Sequence, residues 1–221
     1  AVRRSGRIVQ IGFQRRQCPS FRAVRDHLQA GHAGLIVGAE ATINYTAGTQ
    51  DPSPQTPPST LDWDLWCGPA PKIPYSPQVG HFNWRLERTT GQGHLVDWGI
   101  HPMDATRMIL GETMPKWVEA VGGLYQYKGK ITTPDTLTAH FEFERCPVVW
   151  KHRLWGAAEY SPETGNGVFF YGEKATVFAS DNRWVVIPTA RGGERKTFNV
   201  TGDMGLAHVQ NWLESIRARK P

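Results

Sequence analysis

The sequence predicts an α+β fold, a largely antiparallel open sheet with helices packed on one face. Two observations carry this. Six β-rich runs, at 116–125, 135–144, 148–155, 167–172, 174–179 and 183–188, follow one another without an intervening helix, as a meandering antiparallel sheet requires. Within one of them Leu137, Ala139, Phe141 and Phe143 alternate with Thr138, His140, Glu142 and Glu144, so one face is buried and the other is wet or covered by a partner.

The elements read in order as follows. Ile8 to Phe13 is a short β-rich run, expected as a buried strand. Pro19-Ser20 opens a helix with Ser20 as its cap, Phe21, Val24 and Leu28 on one face, and Gly31 as the left-handed stop. Leu35, Val37, Ala39, Ala41, Ile43 and Tyr45 alternate as a half-buried strand. Residues 47–60 hold four prolines among polar residues and form an exposed loop. Residues 61–66 make one amphipathic helical turn, and four further prolines then keep the chain extended up to Phe82. The main helix is expected over 92–111, ending at Gly111. Asp203 caps a last helix with Leu206, Val209, Leu213 and Ile216 on its buried face.

The length of 221 residues predicts one or two domains, and 39% hydrophobic residues supply a sizeable core, which excludes global disorder. The net charge of +5 comes largely from clusters at the two ends (Arg3, Arg4, Arg7, Arg15, Arg16; Arg217, Arg219, Lys220). Neither is a basic stripe interleaved with aromatics, so no nucleic-acid partner is expected. No run of about 18 apolar residues exists, so no membrane span is expected. Three scattered cysteines point to reduced thiols and a cytoplasmic setting. The start has no secretory signal and no initiator Met, which suggests a fragment or a processed chain.

The chemistry concentrates in Gly91 to Asp104. On a helix Asp97, His101 and Asp104 lie at i, i+4 and i+7 and share one face. Carboxylates beside an imidazole tune it for proton transfer; the same cluster can also serve only to fix helix packing. Gly91, Gly93 and Gly99 leave room for a ligand or another backbone. His94, Asp97 and His101 also have the spacing of a metal site on one helical face. No Gly-x-Gly-x-x-Gly, nucleophile elbow or phosphate loop occurs. Asn83, Trp84 and Arg85 are candidates for a ligand pocket, Trp as a stacking face and Arg as a forked donor, with Tyr75 and Arg153 as further candidates. Arg15 and Arg16 read either as a solvated pair or as facing a ligand. The remaining tryptophans read as core or interface bulk.

These stretches together resemble the carboxyl-terminal, substrate-binding part of oxidoreductases of the glucose–fructose oxidoreductase/inositol dehydrogenase (Gfo/Idh/MocA) family. Val9 to Arg16 looks like the last strand of that family's Rossmann domain, and Phe21 to Gly34 like the helix after it. Leu61 to Pro71 is similar to a segment common in the branch with sugar-type substrates, and Phe82 to Arg85 and Gly91 to Asp104 complete the match. The resemblance implies a division into residues 1–18, a terminal remnant of the dinucleotide-binding domain, and 19–221, a substrate-binding and oligomerisation domain. It implies Asp97 and His101 as the catalytic pair, with His as acid/base on the substrate hydroxyl. It further implies Asn83, Trp84, Arg85, Asp104, Arg153 and Tyr75 toward a sugar or polyol, and Gln14, Arg15 and Arg16 toward the cofactor. NAD or NADP belongs to the intact parent. The glycine-rich loop and the family's Glu-Lys-Pro lysine are absent here, so this chain alone is expected to hold no cofactor and to be inactive. Relatives also continue beyond Pro221. A homo-oligomer through the open sheet face is expected. Two alternatives stay open: a non-catalytic saccharide-binding or protein-interaction module of the same fold, and a metal-dependent enzyme using the His/Asp/His set.

Overall fold

The computed structural model describes residues 2–159 and 161–220; Ala1 and Pro221, outermost in the two basic ends, lie outside the described residues. The elements are α1 (Val2–Ser5), α2 (Pro19–Gln29), β1 (Ile36–Ile43), α3 (Trp63–Cys67), α4 (Ile100–Leu110), β2 (Trp117–Gly123), β3 (Thr136–Glu142), β4 (Pro147–Arg153), β5 (Asn166–Gly172), β6 (Ala175–Ala179), β7 (Arg183–Pro188), β8 (Lys196–Asn199) and α5 (Met204–Ala218). The strands form one open sheet in the order β2-β3-β4-β1-β5-β6-β7-β8. Every neighbouring pair is antiparallel except β1 with β4, which run parallel. A parallel pair needs a long crossover, and the chain between β1 and β4 supplies it. That crossover carries α3, α4 and the hairpin of β2 and β3.

Helices α2 and α4 lie on one face of the sheet. Phe21 and Val24 from α2, and Met103, Ala105 and Ile109 from α4, join Ala41, Trp150, Val168, Phe170 and Val177 in one core. The opposite face carries Glu40 paired with Lys151 at 2.7 Å, and Phe169 stacked on Tyr171. The strand alternation expected from the sequence thus holds, with His152 inward and Lys151 outward.

Several expectations change. Residues 8–13 form no strand, and Val9 and Ile11 are exposed. A strand needs a neighbour for its backbone groups, and none of the eight lies beside this segment. It crosses to α5 instead. Gln10 Nε2 donates to Asn211 Oδ1 at 2.9 Å, and His208 Nε2 donates to the Ile11 carbonyl at 3.0 Å. Asp203 caps α5 as expected, accepting from Leu206 N, but the apolar face is uncovered: Leu206 is 56% exposed and Val209, Leu213 and Ile216 are exposed too. The amphipathic stripe is present, and nothing among the described residues covers it. Ser20 does not cap α2. Cys18 holds the cap position, Pro19 begins the helix, and the Ser20 hydroxyl donates to the Ser180 carbonyl. Leu35 and Val37 are exposed because a register shift between Ile36 and Gly38 breaks the alternation there. The short charged edge strand β8 was not expected at all.

The main helix begins at His94 rather than 92, because Gln92 and Gly93 take positive φ of 61° and 88°. Its first turn, Leu95–Gly99, is a wide π turn that runs into α4, and Gly111 at φ 70° ends it. Packing dictates this start. His94 is buried against Tyr45, Trp150 and His152, and its Nε2 donates to the Ile43 carbonyl at 3.0 Å. A Cβ on Gly99 would stand 3.1 Å from the Trp150 ring. Trp150 Nε1 in turn donates to His152 Nδ1 at 2.9 Å.

Burial lowers the His94 pKa to about 3 and that of His152 to about 4, with His152 further opposing charge on His94. Both folded values lie below the unfolded 6.5, so the folded state resists protonation that the unfolded chain accepts. Stability is therefore flat above about pH 6.5 and falls below it, by about 1.4 kcal/mol per pH unit per histidine until each folded value is reached. Urea unfolding is expected to show a loss of about 2–4 kcal/mol between pH 6.5 and 5; equal midpoints at those pH values would contradict the neutral pair.

Candidate active site

The π turn sets Asp97, and the first turn of α4 sets His101, on the wall of one cleft of about 320 Å³. Trp98 lies beside them. The facing wall comes from Gln14 and Arg15 in the 3-10 turn Gln14–Gln17 and from Phe82 and Arg85 in the long crossover. Asp181, in the β6–β7 turn, and Met204 close the end.

Arg85 is held on three sides. Its Nε is 3.2 Å from Asp97 Oδ1, and its guanidinium lies over the rings of Phe82 and Trp84 at 4.7 and 4.6 Å. Burial pushes the Asp97 carboxyl up, opposed by Arg85 and by His101. Burial also pushes the His101 imidazole below its ordinary value. Arg15 adds to that shift, while Asp97, Asp104 and Asp181 work against it. The result is a neutral imidazole at neutral pH with three carboxylates placed to receive a proton's charge. His101 Nδ1 is buried without a partner among the described residues, which leaves Nε2 as the nitrogen open to the cleft.

Of the two arginines only Arg15 is buried; Arg16 stays half-exposed and is held by a carboxylate. Arg15 is 3% exposed; its Nε meets Asp181 at 2.8 Å and one Nη donates to Asn166 Oδ1 at 3.1 Å. Arg16 grips Asp104 with two hydrogen bonds of 2.7 Å. Asp104 is thereby consumed as a buried structural anion, behind the cleft rather than on it. Of the other candidates, Arg85 reaches the cleft and Asn83, Trp84, Tyr75 and Arg153 do not line it. Asn83 is buried and donates to the Gly48 carbonyl at 2.8 Å. Trp84 faces a separate hollow beside Trp66, and Tyr75 packs edge-on against Trp63. Arg153 lies on the open sheet face, because strand alternation puts it opposite His152. The His/Asp/His metal set fails for a related reason: His94 turns into the core while Asp97 and His101 face the cleft. No group of three His, Cys, Asp or Glu side chains is arranged to hold a metal among the described residues.

Phe82, Trp98, Asp181 and Met204 were missed. Phe82 and Trp98 adjoin the candidates Asn83 and Asp97 in the chain, whereas Asp181 and Met204 are brought in only by the fold. The glycines serve the chain itself. A Cβ on Gly91 would run into the Arg85 backbone, and one on Gly93 would stand 2.8 Å from Thr133 Cβ. The helix start behind Gly91 and Gly93 is therefore filled by protein and offers no cradle for a pyrophosphate.

The profile of the GFO/IDH/MocA C-terminal domain matches residues 21–178. No curated protein matches the sequence. Among solved structures, aldose-aldose oxidoreductase from Caulobacter crescentus, complexed with glycerol, superposes with a TM-score of 0.69 at 18% identity over 99% of this chain and 56% of its own. An inositol dehydrogenase homolog from Azotobacter vinelandii, complexed with NAD+, gives 0.70 at 12% identity over 98% and 55%. Levoglucosan dehydrogenase, in complex with NADH and levoglucosan, gives 0.66 at 14% over 98% and 59%. At these identities the likeness is one of fold, and the chain spans a little over half the length of each protein.

Removing Arg16 strands Asp104, only 4% exposed, without its counter-charge. Arg16→Ala is expected to cost about 2 kcal/mol or more in denaturant unfolding. Arg16→Lys should recover only part of that, because a lysine cannot make the two-pronged contact. Full recovery by lysine would refute the bidentate role.

Proposed function

The chain belongs to the GFO/IDH/MocA C-terminal domain family, and from that premise we propose that it is the substrate-binding half of an NAD(P)-dependent oxidoreductase acting on a secondary alcohol of a sugar or polyol. The single observation that carries this is the neutral His101 beside Asp97 in one cleft. In this reading His101 Nε2 accepts the substrate hydroxyl proton. The imidazolium so formed is stabilised by Asp97, Asp104 and Asp181, the same carboxylates that raise its proton affinity. Asp97, held by Arg85, also accepts a hydrogen bond from a neighbouring sugar hydroxyl. Gln14 and Arg15, on the wall facing the helix, contact the nicotinamide end. A bound nicotinamide supplies the hydride acceptor.

We place the remaining cofactor contacts in a preceding dinucleotide-binding domain, of which residues 1–18 are the last part and 19–221 the substrate domain. The uncovered stripe of α5 with Val9 and Ile11 supports such a cover, since an exposed apolar band of this size calls for a partner. By this reading the 221-residue chain alone holds no NAD(P) and is inactive. The buried free cysteines support a reducing, cytoplasmic setting, and no helix is long and apolar enough to cross a membrane among the described residues. The open sheet face with Tyr171 and Phe169 is the proposed contact between copies of the chain.

In the full-length protein, His101→Asn is expected to lower kcat about 10²–10⁴-fold with little change in KM. The acid limb of kcat/KM should lie below pH 6.5, where the wild-type imidazole becomes protonated, and Asp97→Asn, which removes a group favouring the charged form, should move it lower still. A His101→Asn enzyme of wild-type rate would end this assignment. Light scattering should find a dimer or larger species that Tyr171→Glu dissociates; a wild-type monomer at high concentration would count against the sheet contact.

A further inference from the structure

Next to the cleft of Asp97 and His101 a second hollow, of about 710 Å³, opens over the start of β5 and the β6–β7 turn. The two hollows share Asp181 and Met204, so they are lobes of one groove. The first lies near the lower end of the roughly 300–1,000 Å³ usual for ligand sites, and the second is more than twice its size.

The polar groups of the groove are specific in character. Asp181 is offset by Arg15 at 2.8 Å, Glu163 by Arg195 at 2.6 Å and Arg183 at 3.4 Å, and Glu159 lies 4.0 Å from Arg183, so three carboxylates face three guanidinium groups. Asn166 gives its amide oxygen to Arg15, and Asn182 gives its own to the Ser180 hydroxyl at 3.1 Å. Their amide nitrogens stay available as donors. A phosphate or carboxylate would meet Asp181 and Glu163. An apolar group would strand the amides.

We propose that the groove takes a neutral glycoside of at least two rings. The reacting ring sits at His101 and the attached ring lies between Asn166 and Arg183. This rests on the reading of Asp97 and His101 as the reacting end. The test is an NMR titration of the chain with glucose, cellobiose, maltose and glucose 6-phosphate, reading the His101 ring and the Asn166 and Asn182 side-chain amides. At least one disaccharide is expected to bind ten-fold or more tighter than glucose and to shift both sets of signals. Asn182→Trp, which fills the second lobe from an exposed turn, should close that gap, as should the smaller Asn166→Ala, each with an otherwise native spectrum. Glucose and both disaccharides binding equally, with shifts at His101 alone, would overturn the two-ring proposal and leave the reacting end standing. Preference for glucose 6-phosphate would overturn the neutral ligand. No shift at His101 with any sugar would overturn the reading of the reacting end itself.

Discussion

The contact that the rest of the cleft depends on is the seating of one helix start on the middle of the sheet. His94 enters the core and binds the end of β1 through the Ile43 carbonyl, and Gly99 lets the helix close on Trp150 of β4. These two anchors sit at either end of the π turn, so the residues between them have no freedom to rotate. Asp97 and His101 are thereby turned away from the core and toward the crossover loop. A helix seated by larger side chains would stand off from Trp150 and carry its acidic edge to another place. The wide turn is thus a consequence of packing, and it carries Asp97 of the proposed reacting pair, at a kind of place where such turns are often found.

A second constraint closes the facing wall. Residues 14–17 have little apolar anchorage, yet two arginines bind them to opposite structures: Arg15 to the β6–β7 turn, Arg16 to α4. Both pairs set a long cation against a carboxylate that is partly or fully shielded from water, which is costly to break. The same guanidinium that fixes the wall also bears on His101, lowering its affinity for a proton. Architecture and acid–base tuning are here one interaction seen from two ends.

Much of the sheet was legible in the sequence because its strands alternate, and alternation reports one buried face whatever lies across it. Six strands in 116–188 and the strand near 36–43 could be read this way, as could the Asp203 cap and the Gly111 stop. What the pattern could not report is the identity of the cover. The stripe on α5 and the run Ile8 to Phe13 both read as buried, yet Leu206, Val209, Leu213, Ile216, Val9 and Ile11 are exposed, with nothing among the described residues covering them. The Asp97–His101 pair was legible from spacing. His94, three residues earlier, was not separable from it, because an α-helical count cannot foresee a π turn. Asp181 and Met204 lie some 80 and 100 positions from His101 in the chain and reach the cleft only through sheet order.

The charges around His101 also bear on how the proposed reaction would need the cleft to be closed. Asp97, Asp104 and Asp181 favour its protonated form, while burial and Arg15 favour the neutral one, and the balance falls on the neutral side. An imidazole so poised accepts a proton readily only if the charge it gains is not met by solvent rearrangement, which calls for a cleft that is dry during the reaction. The cleft of this chain is open on one side. In the proposed reading, a preceding domain that closes it brings an apolar surface to α5 and Val9 and leaves Gln14 and Arg15 facing the reacting carbon. Those two demands lie on one side of the molecule, so a single covering domain can meet both.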